Sequence, residues 1–380
     1  MENYGLNVEL IGKAGSREML QTPALVLDLD LLERNIRQMA EFAQEHGVSL
    51  RPHAKTHKSV RIARMQIEAG ALGASVATIG EAKIMIEAGI SDVLVTSPVV
   101  HPAKVDLLIN LNSRADGLMV VADHVANVAT LDAAAAAVGR PLTVLVDLDV
   151  GIGRTGSRTP EDAFFVASQI DIAPNLRFGG VQAYAGKLQH IEDYADRKAA
   201  NDKECVSIRD LLDRLNASGI GVPRVTGVGT GSHDIDAREG LFTEMQVGSY
   251  VFTDTHYNAV VLREGDPRPF EPSLFVRGTV VSVNQPGCVS VDTGLKRFAT
   301  DSPFPPEPVR GVSAGCSFTF KGDEHGLVVF PRPDMNLSLG TGVEFITPHC
   351  DPTVNLHDSY HVVRGETLVD IWPVDARGAI

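Results

Sequence analysis

The stretch "RPHAKTHKS" (51–59) gathers His53, Lys55, His57 and Lys58 in a chain whose formal net charge is −14. Three chemistries suit such a cluster: a phosphate-binding patch, a metal site, or a reactive lysine. Lys55 lies just past the run "SLRPHA", where a strand would end. A lysine in a dry site or beside cationic neighbours has a depressed pKa, and it then offers the free amine that a Schiff base needs. Taken alone, the stretch also reads as a solvated basic turn.

Other segments bear on that choice. "GVGTGSHD" (227–234) supplies Gly229, Thr230, Gly231 and Ser232, small and hydroxyl-bearing residues suited to a backbone-amide nest for an anion. "QVGSY" (246–250) supplies Gly248, Ser249 and Tyr250 at the next strand end. Two such turns near the close of a barrel fall where barrels commonly hold phosphate. With a strand-end lysine, they point to a phosphorylated cofactor held covalently, which describes pyridoxal 5′-phosphate (PLP). "DLDVGIGRTG" (147–156) delivers Arg154, to face the cofactor ring or to pair with a surface carboxylate. "VQAYAGKLQH" (181–190) delivers Tyr184 and His190, with a buried structural tyrosine as the alternative.

The densest polar cluster comes late, in "PHCDPTVNLHDSYH" (348–361). His349 and Asp351 are two apart, so an extended segment turns both side chains to one side and Cys350 to the other. Histidine with carboxylate suits Mn²⁺ or Mg²⁺ better than a thiolate site would. A polar loop without metal is the alternative, and His357, Asp358 and His361 are then outer or surface residues.

These groups need elements to position them. From residue 23 to about 250, apolar β-type runs alternate with helical patterns, the signature of a parallel sheet wrapped by helices. "DLLERNIRQMAEFAQEHG" (30–47) is one such helix, with Asp30 expected as N-cap, Glu33 completing a capping box and Gly47 at the stop. Nine candidate strands are one more than a (β/α)8 barrel needs, and the 23–28 segment is the one that can lie outside it. No GxGxxG follows the first strand, which disfavours a dinucleotide-binding open sheet. After about residue 270 the pattern becomes β runs broken by a proline-rich connector, "SPFPPEPVR" (302–310). The expected organisation is an N-terminal segment (1–22), a PLP-binding (β/α)8 barrel (23–270) and a C-terminal antiparallel β domain (271–380) carrying the metal motif.

Bulk properties exclude several classes. A net charge of −14 argues against nucleic acid and anionic membrane surfaces as partners. No stretch reaches transmembrane length, and the N-terminus lacks an apolar signal core. Cys205, Cys288, Cys316 and Cys350 show no CxxC pair or framework spacing. A reduced, cytoplasmic enzyme is the expectation.

From "TPALVLDLDLLERNI" to "WPVDARG" the chain resembles the D-threonine aldolase and D-serine dehydratase family of alanine-racemase-like, fold-type III PLP enzymes. The resemblance is carried by "RPHAKTHK", "LDVGIGRTG", "GVQAY", "GTGS", "GSYVF", "DEHG" and "HCDPTVNLHD". It implies that Lys55, not Lys58, carries PLP, that Arg154 and Tyr184 lie by the cofactor, and that the turns at 229–232 and 248–249 bind its phosphate. It also implies a divalent metal at His349 and Asp351, and a homodimer that builds the active site between subunits. Dehydratase-like members carry a cysteine two residues after the metal histidine and prefer Zn²⁺. This chain has Asp351 there, as the aldolases do. One departure is "SVATIGEA" (75–82), which replaces the "CCQKVSEA"-type segment of several aldolases and leaves the contacts of Thr78 open.

The implied activity is metal-assisted retro-aldol cleavage of a small D-β-hydroxy-α-amino acid to glycine and an aldehyde, with His190 assisting proton removal. D-Threonine is the leading substrate. A 3-hydroxy-D-aspartate aldolase and a D-serine or hydroxyaspartate dehydratase are the near alternatives, and a non-catalytic PLP-binding protein is the alternative from another class.

Overall fold

The computed structural model describes residues 5–380, so residues 1–4 of the expected N-terminal segment lie outside the described residues. The chain opens with β1 (Ala24–Asp28) and α1 (Leu29–Glu45). Then follow β2 (Ser49–Leu50), α2 (Val60–Glu68), β3 (Ala74–Val76), α3 (Ile79–Glu87), β4 (Val93–Val95) and α4 (Pro102–Asn112). Next come β5 (Met119–Ala122), α5 (Val125–Val138), β6 (Leu142–Leu148), α6 (Pro160–Ile172), β7 (Leu176–Ala183) and α7 (Tyr194–Ala217). The series ends with β8 (Val225–Gly227), α8 (His233–Glu239), β9 (Glu244–Met245) and the short α9 (Thr255–Asn258).

Strands β2 to β9 form one parallel sheet in the order β2-β9-β8-β7-β6-β5-β4-β3. A bridge between His53 and Ser75, with Ala54 N–H donating to Ser75 O (2.8 Å), links the segment just past β2 to the middle of β3 and completes the ring. This is the expected eight-stranded α/β barrel. Its strands are short and almost wholly buried, as sheet covered on both faces requires. Leu94, Met119, Val121 and Leu145 form one apolar cluster on β4, β5 and β6. Elsewhere the strands carry buried polar groups that bond one another. Arg51 grips Glu244 with two hydrogen bonds (3.0 and 3.1 Å), and Gln182 donates to Asp147 (2.9 Å) and accepts from Gln246 (3.2 Å).

The surplus strand is β1. It pairs antiparallel with β10 (Leu274–Ser282) and parallel with β16 (Ser359–Arg364), so it lies inside the second sheet and not in the barrel. That sheet also contains β11 (Cys288–Val291), β12 (Glu307–Arg310), β13 (Ser317–Phe320), β14 (Gly326–Val329), β15 (Gly342–Ile346) and β17 (Thr367–Pro373). A short helix, α10 (Cys350–Val354), interrupts the β series after β15. The proline-rich connector is only partly a connector, because its last four residues are β12. That strand pairs with β15 alone and shifts register between Pro308 and Arg310; a proline lacking N–H is tolerated at such an edge.

One local expectation is corrected. Helix α1 is capped by Asp28, whose carboxylate accepts from Leu31 N–H, and not by Asp30. Asp30 and Glu33 point outward and pair with Arg364. Thr78 caps α3 in a capping box with Glu81 and donates its hydroxyl to Ala379 O. Among the described residues, no helix is long and apolar enough to cross a membrane.

Candidate active site

The loops after the barrel strands surround a cavity of ≈ 320 Å³, enough for a small cofactor and substrate. Lys55 stands in its wall. The loop carrying it is fixed by the flanking histidines, and both are buried. His53 Nδ1 accepts from Lys55 N–H (3.4 Å), while Nε2 meets Thr96 Oγ1 (3.1 Å). Because the Thr96 hydroxyl already donates to Val76 O (3.0 Å), His53 must donate through Nε2, which sets a neutral tautomer. Burial, then the charge of Lys55, hold its pKa well below the usual histidine value. His57 accepts from Ser59 N–H through Nδ1 (3.1 Å), and burial lowers its pKa to about 4. Lys58 turns away, with a positive φ of 50°, and pairs with buried Glu81.

Lys55 itself departs from expectation. Its ammonium lies 2.9 Å from Asp351 Oδ2, and that carboxylate raises its pKa against the opposing effect of burial. The flanking histidines do not depress it because they are uncharged. Asp351 responds in kind: burial pushes it up, but Lys55 and His349 outweigh burial and hold it well below the carboxylate range.

The remaining groups arrive from five strand ends and the second domain. Thr96 follows β4, Arg154 follows β6, Tyr184 follows β7, Gly229 and Thr230 follow β8, and Gly248 and Ser249 follow β9; all line the cavity. None of the ion pairs among the described residues involves Arg154, so the surface-pair alternative does not apply. Tyr184 is half-buried, and burial raises its pKa. His349 and Asp351 reach the cavity from α10.

That arm is not extended. His349 is the N-cap residue of α10 and Asp351 lies in its first turn. Asp254 organises it, accepting from Cys350 N–H (2.9 Å) and Tyr257 N–H (2.9 Å). Cys350 is fully buried, and burial followed by the charges of Asp254 and Asp351 pushes its thiol far from ionising. Unlike His349 and Asp351, it does not line the cavity.

Gly231, Ser232 and Tyr250 do not line the cavity. Gly231 N–H (2.8 Å) and Ser232 N–H (3.3 Å) donate to the side-chain oxygen of Gln189, which is 1% exposed. Those amides are thus taken by the protein itself. A Cβ on Gly231 would sit 2.0 Å from Gln189 O, so only glycine fits there. Tyr250 points into the core, its hydroxyl accepting from Gln66 Nε2 (3.0 Å). Its amide accompanies the turns, donating to Thr230 Oγ1 (3.1 Å).

His190 lines the cavity and stacks on His256, ring centroids 3.7 Å apart and 8° from parallel. Its Nδ1 is buried without a hydrogen-bond partner, and burial, then His256 and His349, lower its pKa to about 3. His357 and His361 are spent elsewhere, on Arg297 O (3.1 Å) and Leu25 O (3.2 Å), and Asp358 pairs with Arg377.

Sequence reasoning missed Gln189, His256 and Asp301. Asp301 Oδ2 lies 2.8 Å from His349 Nδ1. A glutamine in a loop and an aspartate before a proline-rich stretch carry no local signal, and only the closure of the fold brings them in.

The residues present fit PLP. The cavity holds an amine, an arginine free of ion pairs and two turns, of which Gly248 approaches Thr56 so closely that a Cβ would lie 2.6 Å from its Oγ1. They also fit a divalent cation at two positions. The Lys55 ammonium occupies Asp351 as a cation would, and His349 is the adjacent nitrogen donor. Among the described residues, no group of three or more His, Cys, Asp or Glu side chains converges as a metal cage, so further ligands would come from water or substrate.

Known proteins resemble the chain along most of its length. Residues 27–256 match the family described as alanine racemase, N-terminal domain, and residues 273–363 match the putative serine dehydratase domain. A 3-hydroxy-D-aspartate aldolase of Paracoccus denitrificans (strain Pd 1222) is 39% identical over 367 residues, covering 94% of this chain and 92% of that protein. A D-threonine aldolase of Arthrobacter sp is 39% identical over 360 residues, covering 94% and 93%. The crystal structure of D-threonine aldolase from Filomicrobium marinum superimposes with a TM-score of 0.92 at 36% identity, covering 96% of this chain and 97% of that one. A strand-end lysine in an eight-stranded barrel, an arm from a second β domain that meets it, and these similarities over nearly the whole chain have one meaning: the chain belongs to the D-threonine aldolase and D-serine dehydratase family of alanine-racemase-like, PLP-dependent enzymes.

Proposed function

We propose that the protein is a divalent-metal-activated D-threonine aldolase that cleaves D-β-hydroxy-α-amino acids to glycine and an aldehyde. The observation that carries the reading is the meeting of Lys55 with His349 and Asp351 across one cavity, 2.9 Å separating Lys55 Nζ from Asp351 Oδ2. Lys55 would hold PLP, with Arg154 and Tyr184 beside the ring and Gly229, Thr230, Gly248 and Ser249 around the phosphate. Gly231, Ser232 and Tyr250 hold those turns in shape. When bound, PLP supplies a sink for the electron pair left on Cα. His349 and Asp351 would hold Mn²⁺ or Mg²⁺, which supplies polarisation of the substrate β-hydroxyl.

The chain's own residues then have separable tasks. His190, neutral at physiological pH, accepts the β-hydroxyl proton directly or through one water. With a pKa of about 3 it is a weak base, so the transfer would rely on polarisation of the hydroxyl by a bound cation. As that proton leaves, the O–C bond becomes a carbonyl and the Cα–Cβ bond breaks. Its electron pair stays on Cα, where a proton then yields glycine. Asp351 lines the cavity and Cys350 does not, which leaves the carboxylate as the arm's anionic donor and favours an aldolase over a thiolate-bearing dehydratase.

The 39% identity to a 3-hydroxy-D-aspartate aldolase supports a second reading, in which the same bond breaks and glyoxylate is released. We place the protein in the cytoplasm and as a homodimer with an interfacial active site, with no nucleic-acid or membrane partner.

Product identification tests the reading. Purified protein with PLP and Mn²⁺ is given D-threonine, with and without chelator, and L-threonine in parallel. Glycine and acetaldehyde from the D-isomer alone, abolished by chelation, are expected. Ammonia and 2-oxobutanoate would make it a dehydratase, glyoxylate from 3-hydroxy-D-aspartate alone would select the second reading, and PLP binding without turnover would leave a non-catalytic PLP protein.

A further inference from the structure

We infer that Asp301 is a positioning residue that fixes the tautomer of His349 and so aims its Nε2 at the divalent cation; this rests on the metal reading above. The geometry begins at Asp301 Oδ2, 2.8 Å from His349 Nδ1. An ionised carboxylate only accepts, so Nδ1 must be the donor, and in the neutral ring Nε2 is left with the lone pair. Nitrogen donors to metals are commonly oriented by such a carboxylate on the other ring nitrogen.

The backbone of the same segment repeats the grip. Ala299 N–H donates to Thr353 Oγ1 (3.0 Å), and the Thr353 hydroxyl donates to His349 O (2.7 Å). Residues 299–301 thus hold His349 at its carbonyl through Thr353 and at its ring through Asp301. Phe298, buried at 1% exposure against Phe318 and Phe345, anchors the segment in the core of the second domain. Asp301 is exposed, so it bears little of the fold, and its replacement leaves that anchor in place.

The test is the affinity for Mn²⁺, measured by electron paramagnetic resonance of free Mn²⁺ on the PLP-loaded protein, for wild type, Asp301→Ala, Asp301→Asn and Asp351→Ala. Thermal unfolding and the cofactor absorbance of each variant serve as controls. Asp301→Ala is expected to bind Mn²⁺ about 10- to 100-fold more weakly, while Asp301→Asn, whose amide oxygen still accepts from Nδ1–H, retains most of the affinity, with unfolding and cofactor absorbance unchanged in both. Wild-type affinity in Asp301→Ala, alongside loss in Asp351→Ala, overturns the role of Asp301 and leaves the metal reading intact. Wild type that binds no Mn²⁺, or Asp351→Ala that binds as wild type does, overturns the metal reading and this inference with it.

Discussion

Lys55 Nζ and Asp351 Oδ2 lie 2.9 Å apart, and each shifts the other toward its charged form. The arrangement holds Lys55 as an ammonium, yet an amine condenses with an aldehyde only after losing its proton. If Lys55 carries PLP as proposed, Asp351 opposes cofactor attachment until another cation takes its place. With chelator present, Asp351→Asn is expected to lower the pH midpoint of Schiff-base formation with PLP, read by absorbance, by about one unit or more. An unchanged midpoint would mean the pair does not govern the amine. The signs also set a stability window for the cofactor-free protein. Lys55, raised, loses its contribution as pH climbs past about 10, and Asp351, depressed, loses its own as pH falls below about 4, so this pair is silent between.

His190 carries a different pH signature. Lowered to about 3, it is neutral throughout the physiological range. The acid limb of kcat/KM should therefore show no inflection near 6.5. His190→Asn is expected to cut kcat by about 10²- to 10⁴-fold with PLP affinity unchanged. Full activity in that variant would remove it from the proton path.

Gln189 is a buried hub. Its oxygen accepts from Gly231 and Ser232, and its nitrogen donates to Ala185 O (3.2 Å) and Ser232 Oγ (3.0 Å). Gln189→Ala leaves those groups unpaired and should cost about 2–4 kcal/mol in urea unfolding, with PLP binding roughly tenfold weaker as the phosphate turn loosens. Gly231→Ala forces backbone apart and is expected to be the more severe change. If Gln189→Ala retains both stability and affinity, the turn is held by something else.

Asp236 offers a stability test away from the chemistry. Burial raises its pKa to about 6, although Asn201 Nδ2 donates to it (2.8 Å). A raised folded pKa means the native state takes up a proton more readily than the unfolded chain. The penalty for ionising it is absent below about pH 4 and complete above about pH 6. Asp236→Asn keeps an acceptor for Asn201 and should add about 1–3 kcal/mol at pH 7 and nothing at pH 4. A gain independent of pH would point to some other cause.

Much of this was legible because the barrel's strands are short apolar runs between amphipathic helices, a pattern set by burial on both faces. Lys55, Arg154, Tyr184 and His190 could be found because each follows such a run. Partnership was harder to read. Nothing in "PALVLD" says that Leu25 will lie beside Val276 and Tyr360 rather than beside a barrel strand. The 348–352 stretch looked extended because the capping carboxylate that turns it into a helix, Asp254, lies nearly a hundred positions earlier. The glycine turn at 229–232 looked like an open nest, but its amides had a buried customer in Gln189. Whether the flanking histidines carry charge was open in the sequence, and burial lowers the pKa of both.

The position of β1 also bears on how the protein comes into being. Ala24 emerges early in synthesis, but its antiparallel partner Arg277 comes much later and Tyr360, the parallel neighbour of Leu25, later still. Until then an apolar strand waits with both edges open, the condition that invites wrong pairing. A chain cut after residue 270 should therefore leave β1 exposed and aggregate. By the time β1 gains its parallel neighbour, the segment bearing His349 and Asp351 has been made, so the sheet that holds β1 closes with that segment already in place.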